Sequence, residues 1–418
     1  MTENVISKKE AQLMVLEKSK KVILALQHLI AMFGATVLVP ILTGLDISVA
    51  LFTAGLGTLI FHFCTGGSVP VFLGSSFAFI PVILTVKEMY NGDLSYAQGG
   101  IVIAGLLYVI ISFFIKKFGV ERIRKYLPAQ VVGPMIIVIG MNLIPTAFEM
   151  ASKNFAIAAV TLGIALLINF KGKGFIKQLG ILIGVASGYA ISLAVGFVDT
   201  SAISSAPVVA IPAFNFPKFD IGAIAIIAPV VLAVFMEHLG DITTISQTVG
   251  KNYIEEPGLH RTLLGDGLAT AVAALIGGPA NTTYGENTGV LAITKNYDPS
   301  VLRLAAVFAM GLGFVSKVGA VMSSIPEPVM GGISLMLFSM IALVGVKTIK
   351  TEQIKYNWKK LLVMATILVL GLGSGIIESK FGITLGIPIN ESVAISGLSL
   401  AAIVGITLNI ILNGKELE

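Results

Sequence analysis

Apolar runs long enough to cross a lipid bilayer follow one another along almost the whole of this chain, and nothing constrains its fold more. A helix needs about 20 mostly apolar residues to cross the hydrocarbon core. Inside that core every backbone N–H and C=O must be paired internally, which leaves such runs little choice but helix. We place them at 22–42, 48–66, 70–86, 98–115, 129–149, 155–170, 178–197, 222–247, 262–278, 281–295, 300–321, 326–346, 360–378 and 392–412. Charged residues make up only 12% of the chain, against about 25% in soluble domains. The expected fold is an all-α polytopic membrane protein with fourteen transmembrane segments.

Loop charge orients these segments, because cytoplasmic loops hold the excess of Lys and Arg. With the N-terminus inside, 23 of the 28 basic residues fall in cytoplasmic loops or tails, and only Lys87, Lys153, Lys218, Lys317 and Lys380 lie outside. Both termini are expected to be cytoplasmic. Residues 1–21 are polar and lack a small-residue cleavage site, so they read as a cytoplasmic tail rather than a signal peptide. The net charge of +5 is spread over these short loops and is no nucleic-acid footprint. The lone Cys64 can form no internal disulfide.

The chain also repeats itself. KKFGVERIRKYLPAQVVGPMIIVIGMNLI, from Lys116, matches SKVGAVMSSIPEPVMGGISLMLFSMIALVG, from Ser316, in the order of a Gly, a Pro and a V-x-G that opens an apolar helix. The fifth segment thus corresponds to the twelfth. A repeat of seven segments has an odd number of crossings, so its second copy is inverted, as in many secondary transporters. The same offset pairs the third segment, SVPVFLGSSFAFIPVIL, with the tenth, GGPANTTYGENTGVLAI. Each opens with Pro and with β-favouring or small polar residues, then turns helical after a Gly. We expect a short β-strand at the start of each. Half-helix N-termini meeting near the midplane would offer unpaired N–H donors to a polar ligand.

Carboxylates inside such segments are costly, about 2.5–3.5 kcal/mol at a helix centre, and so mark cavities or substrate paths. Glu237 follows a nearly unbroken apolar run in the eighth segment, and Asp241 lies one turn on, on the same helix face. Glu237 is a candidate proton carrier. Asp241 reads either as its partner or as a helix-end residue facing the cytoplasmic loop. His238 is expected to pack between helices. Glu286 follows Gly285 and Tyr284 at the break of the tenth segment, where its carboxylate can accept two N–H donors or cap the half-helix. Gly285 allows close approach of a ligand to the backbone. Gln27 and His28 in the first segment read either as inter-helical glue or as site residues. No His/Cys cluster with zinc spacing, no phosphate loop and no G-x-S-x-G nucleophile motif is present, so no enzyme, cofactor or self-contained ATP-driven pump is expected.

The strings QHLIAMFGATVLVP, GSSFAFI, EHLGD, NTTYGENTGVLAITK and PVMGGISLMLF, in that order and across essentially the whole chain, resemble the nucleobase–cation symporter family, also called the nucleobase/ascorbate transporters. The resemblance implies a seven-plus-seven inverted repeat and a homodimer. It implies a core domain of residues 22–115 and 222–321, and a gate domain of 116–221 and 322–418, with the substrate between them. Carried over by motif, Glu237 and Glu286 would bind the ring N–H groups of a base, and Glu237 with Asp241 would couple binding to H⁺. The backbone N–H groups of Phe77 and Gly285 would meet its carbonyl oxygens. Phe77 and Tyr284 would frame the ring, and Ala35 would line the pocket. Phe338 stands where some relatives have Tyr, and Asp241 where some have His. Members with GEN in the tenth segment are of the uracil type, whereas purine-type members tend to have Gln there. A carboxylate only accepts hydrogen bonds while an amide also donates, so Glu286 favours uracil. The expected activity is proton-coupled import of uracil across the cytoplasmic membrane. Purine-base symport is the first alternative. Inorganic anion transport on the same fold is a weaker one, since two glutamates at the paired breaks oppose it.

Overall fold

The computed structural model describes residues 2–122, 128–351, 356–383, 385–390 and 393–413. Helices of ten residues or more are numbered in chain order: α1 Thr2–Thr43, α2 Ile47–Cys64, α3 Ile80–Met89, α4 Ser95–Phe118, α5 Ala129–Ser152, α6 Phe155–Lys171, α7 Gly180–Ala194, α8 Val230–Val249, α9 Leu259–Leu275, α10 Gly285–Thr294, α11 Pro299–Gly313, α12 Glu327–Thr351, α13 Trp358–Phe381 and α14 Gly397–Asn413. Four strands accompany them: β1 Leu73–Ser75, β2 Asn281–Thr283, β3 Gly386–Asn390 and β4 Val393–Ser396.

Among the described residues, seven helical spans are long and apolar enough to cross a membrane, or eight if α11 and the helix Ser316–Ser323, bent by 77°, form one. Several of the remaining apolar runs are interrupted or short. Residues 70–79 leave only ten residues of helix for α3, and extended backbone before Gly285 does the same for α10. α6, α7 and α14 have fewer than eighteen residues. Residues 2–21, read as a tail, continue the first apolar run as one helix. β3 and β4 form an antiparallel hairpin ahead of α14 that the segment pattern did not predict. Its signal was the period-two alternation of GIPIN and VAIS, too short to stand out beside long apolar runs.

Glycines set the closest helix contacts. At Gly133 of α5 a Cβ would lie 2.3 Å from Ile349 Cγ1, and at Gly345 of α12 it would lie 2.6 Å from the Gly133 carbonyl. Gly140 meets Phe338 and Ala342, and Gly331 meets Ala151. Rising numbers on α5 therefore face falling numbers on α12, and the two helices run antiparallel along their length. Without a hydrophobic force between helices in lipid, such backbone-to-backbone packing supplies the association.

Outside the apolar spans, Asp220 accepts from the N–H groups of Gly222 (2.7 Å) and Ala223 (3.4 Å) and so caps the helix Ile221–Ile227 that leads through Pro229 into α8. The Tyr90 hydroxyl also donates to Asp220, which holds its carboxyl below the usual carboxylate range and, with burial as the larger cause, pushes the Tyr90 phenol up to about 12. Asp220→Ala should remove the cap and this tie at once. We expect a loss of about 1–2 kcal/mol, measured as a lower midpoint of thermal unfolding in detergent, with Asp220→Asn retaining part of it.

Candidate functional site

Two crossed hairpin-like breaks build the site. β1 and β2 pair antiparallel with Leu73 opposite Thr283, Gly74 opposite Thr282 and Ser75 opposite Asn281. The ladder extends through Ser76 N–H to the Ala280 carbonyl (2.8 Å) and Tyr284 N–H to the Phe72 carbonyl (3.1 Å). Neighbouring helices pair the backbone that the short strands leave open. Leu73 N–H donates to Thr58 Oγ1 (2.9 Å), and Asn281 N–H donates to Thr270 Oγ1 (3.2 Å), which in turn donates to the Asn281 carbonyl. Every one of these strand residues is buried.

This pairing fixes the starts of two short helices beside each other. A 3₁₀ turn at Phe77–Phe79 leads into α3, and α10 opens at Gly285 directly after Tyr284 in extended conformation. Neither start has a side-chain cap. The first N–H groups of each helix have no partner inside it, and the two positive dipole ends converge. The Tyr284 hydroxyl donates to the Ser75 carbonyl at 2.9 Å, so its ring lies back across Gly74. A Cβ at Gly74 would come within 2.3 Å of that ring and 2.8 Å of Thr36 Oγ1. Gly74→Ala should therefore overpack the site and cost about 1–3 kcal/mol. Thermal unfolding of the purified variant measures this, and an unchanged midpoint would mean that the ring is not held.

Against these breaks lies a cavity of about 360 Å³. Phe77, Tyr284, Gly285 and Glu286 line it from the breaks, and Glu237 and Asp241 from α8. Glu237 is open to the cavity, Glu286 and Asp241 are partly covered, and the Thr283 hydroxyl donates to Asp241. The opposite wall is Met336, Leu337 and Met340 of α12, with Asn169, Lys177, Gln178 and Ile181 at the junctions of α6 and α7. Carboxylates accept hydrogen bonds and uncapped helix starts donate them. The wall facing both sets is apolar along α12 and polar at Asn169, Lys177 and Gln178. The arrangement suits a flat, neutral, polar ring that carries N–H donors and carbonyl acceptors side by side.

Comparison with known proteins fits this geometry. The sequence profile of the Permease family matches residues 19–378. The chain belongs to this family. The permease is 43% identical over 408 residues to the uracil permease of Bacillus caldolyticus, covering 94% of this chain and 92% of that one. It is 39% identical over 402 residues to the uracil permease of Escherichia coli K12, covering 93% and 90%. Its fold resembles the transmembrane domain of the cyanobacterial bicarbonate transporter BicA, with a TM-score of 0.63 at 16% identity over 84% of this chain and 94% of that one. It also resembles the murine anion transporter Slc26a9 in its inward-facing state, with a TM-score of 0.68 at 10% identity over 95% and 68%. These two structures share the fold of the permease at identities too low to carry more.

Other residues singled out from the sequence fall around the cavity. Ala35 is fully buried in the apolar cluster behind Tyr284, not on the cavity wall. His28 is buried, and Asn287 Nδ2 donates to its carbonyl (3.0 Å) and lies 3.1 Å from its Nδ1, so α1 holds α10 one residue beyond Glu286. Gln27 Oε1 is buried with no hydrogen-bond partner among the described residues. Phe338 is buried between helices, and its neighbours Met336, Leu337 and Met340 face the cavity instead. His238 does pack between helices, but as half of a polar pair: its Nδ1 lies 3.3 Å from Asp266 Oδ2 and its Nε2 3.0 Å from Thr262 Oγ1.

Several residues of the permease site had escaped the sequence reading. Asp266 is fully buried in the ninth segment, and the cost of a carboxylate among apolar residues, applied there as it was to Glu237, would have found it. Lys177 and Gln178 carried no such signal, since they read as the last residue of a cytoplasmic loop and the first of the seventh segment. Gln178 lies over Gly289, one turn beyond Glu286, where a Cβ would be 2.4 Å from its amide oxygen. Only the approach of two distant elements makes these residues part of a site.

Proposed function

We propose that this permease imports uracil across the cytoplasmic membrane by H⁺ symport. One observation carries the reading: Glu286 stands beside Gly285 at the uncapped start of α10 and lines one cavity together with Glu237, Phe77 and Tyr284. Uracil has two ring N–H donors and two carbonyl acceptors. Glu286 and Glu237 accept from the N–H groups, and the N–H groups of Gly285 and Phe77 donate to the carbonyls. Both curated relatives named above are uracil permeases. Proton coupling falls to Glu237 with Asp241, one turn apart on α8 and both on the cavity.

The rest of the proposal follows from the chain's internal symmetry. The antiparallel pairings of β1 with β2 and of α5 with α12 are what an inverted repeat of seven segments produces and support fourteen segments, and the loop charge puts both termini in the cytoplasm. The core domain then spans residues 22–115 and 222–321, and the gate domain 116–221 and 322–418. Rocking of one against the other exposes the cavity alternately to each side. A homodimer is part of the same reading.

Uptake of labelled uracil into proteoliposomes, with and without an inward H⁺ gradient, tests this directly. Accumulation above the equilibrium level only with the gradient is the expected result. Uptake blocked by xanthine and untouched by unlabelled uracil would turn the assignment to purine bases. The fold-sharing anion transporters suggest a second comparison: bicarbonate is expected not to compete, because three carboxylates, Glu237, Asp241 and Glu286, outnumber Lys177 on the cavity and repel an anion.

A further inference from the structure

Away from the cavity, α2 and α9 press together where Gly265 allows it, since a Cβ there would lie 2.9 Å from Phe61 Cα and 3.3 Å from Cys64 Cβ. Outside that line of contact an open apolar trough of about 600 Å³ runs between the helices, bordered by Ile60 and Phe63 on one side and Leu264 and Leu268 on the other. Phe63 is 86% exposed, near the end of the spanning helix α2. α9 divides by face: Thr262, Asp266 and Thr270 point inward and are buried, while Leu264 and Leu268 remain at the trough.

Arg261 stands at one end. Its Nε donates to the Cys64 carbonyl at 2.8 Å, which holds the guanidinium beside the trough. Among the described residues no carboxylate forms an ion pair with it. The region around it is cationic. His260, whose carbonyl accepts from Ser112, is kept below its ordinary imidazole value by burial first and then by Lys116 and Arg261. On the loop-charge reading this is the cytoplasmic end.

We infer that the trough is a binding site for an anionic phospholipid, with one acyl chain along Ile60, Phe63, Leu264 and Leu268 and the phosphate on Arg261. An apolar groove with a fixed guanidinium at its mouth, in no ion pair among the described residues, is complementary to a molecule with a long hydrocarbon tail and a negative head. Guanidinium presents a planar fork that matches phosphate oxygens, and the cytoplasmic leaflet supplies anionic lipids. A zwitterionic lipid would fill the same groove but bring its own positive charge toward Arg261. Because Thr270 of α9 also holds Asn281 of β2, an occupied trough braces the helix that carries half of the broken-helix site.

The test compares lipids within each protein, so a less stable variant still gives a readable ratio. Full-length protein purified in detergent is incubated with phosphatidylglycerol or phosphatidylcholine of the same acyl chains, and retained lipid is counted by native mass spectrometry. Wild type is expected to retain phosphatidylglycerol about five-fold more than phosphatidylcholine. Arg261→Gln should bring the ratio to about one, Arg261→Lys should keep part of it, and Leu268→Trp should lower retention of both lipids. Inorganic phosphate alone should neither bind nor displace the lipid. Equal retention by wild type, a preference that survives Arg261→Gln, binding of free phosphate in place of lipid, or a second protein copy found on this face would each overturn the assignment.

Discussion

Glu286→Ala should strongly weaken uracil binding while leaving the permease folded. The carboxylate sits at the first turn of α10, in no ion pair among the described residues, and it lines the cavity rather than the helix packing. Removing it exposes no apolar surface and breaks no interhelical bond, since the tie between α10 and α1 runs through Asn287 and His28. What it does remove is an acceptor for ring N–H groups. Hydrogen bonds to a charged group contribute roughly 1.5–3 kcal/mol each, and about 1.4 kcal/mol is tenfold in affinity. One such bond lost should weaken binding about 10- to 100-fold, measured by isothermal titration calorimetry with uracil. Glu286→Gln is informative beside it, because an amide presents a donor where uracil also donates. Weakened uracil binding with gained purine binding is the expected outcome, and uracil affinity unchanged in both variants would remove Glu286 from the site.

Glu237→Gln should separate transport from accumulation. The amide keeps the size of the side chain and one acceptor oxygen but cannot take up a proton. Uracil should still exchange across the membrane of loaded proteoliposomes, at a reduced rate. Accumulation driven by an imposed pH gradient should fall to the level seen without a gradient. Asp241→Asn is expected to act in the same direction and less strongly, because Asp241 lies one turn away and is already engaged by the Thr283 hydroxyl. Normal concentrative uptake by Glu237→Gln would sink the coupling assignment and direct attention to the buried pair of His238 and Asp266.

The residues that could be read from the chain are those whose environment is set by their own neighbours in sequence. Glu237 was legible because fourteen or so apolar residues before it leave water no access in a helix spanning a bilayer. The breaks before α3 and α10 were legible because Pro, Gly and β-favouring or small polar residues fall together there, whereas Pro134 and Pro145 alone leave α5 unbroken. The family motifs lie on these same residues. Asp266 was equally legible and was passed over. The β3–β4 hairpin was too short to be distinguished from the apolar segments around it.

What the sequence alone determined is a membrane-spanning helical permease whose polar residues cluster at two broken segments, because the cost of burying charge and unpaired backbone in lipid is local and large. Tertiary structure decided the rest. It paired Leu73 with Thr283 and so brought together two helix starts more than 200 positions apart in the chain. It set Ala35 behind Tyr284 rather than on the cavity wall, turned Phe338 into the helix packing and Met336 toward the cavity, and brought Lys177 and Gln178 to the cavity from the edge of the seventh segment. Which side chain faces a cavity depends on helix rotation and on close glycine contacts between distant segments, and no local pattern encodes either.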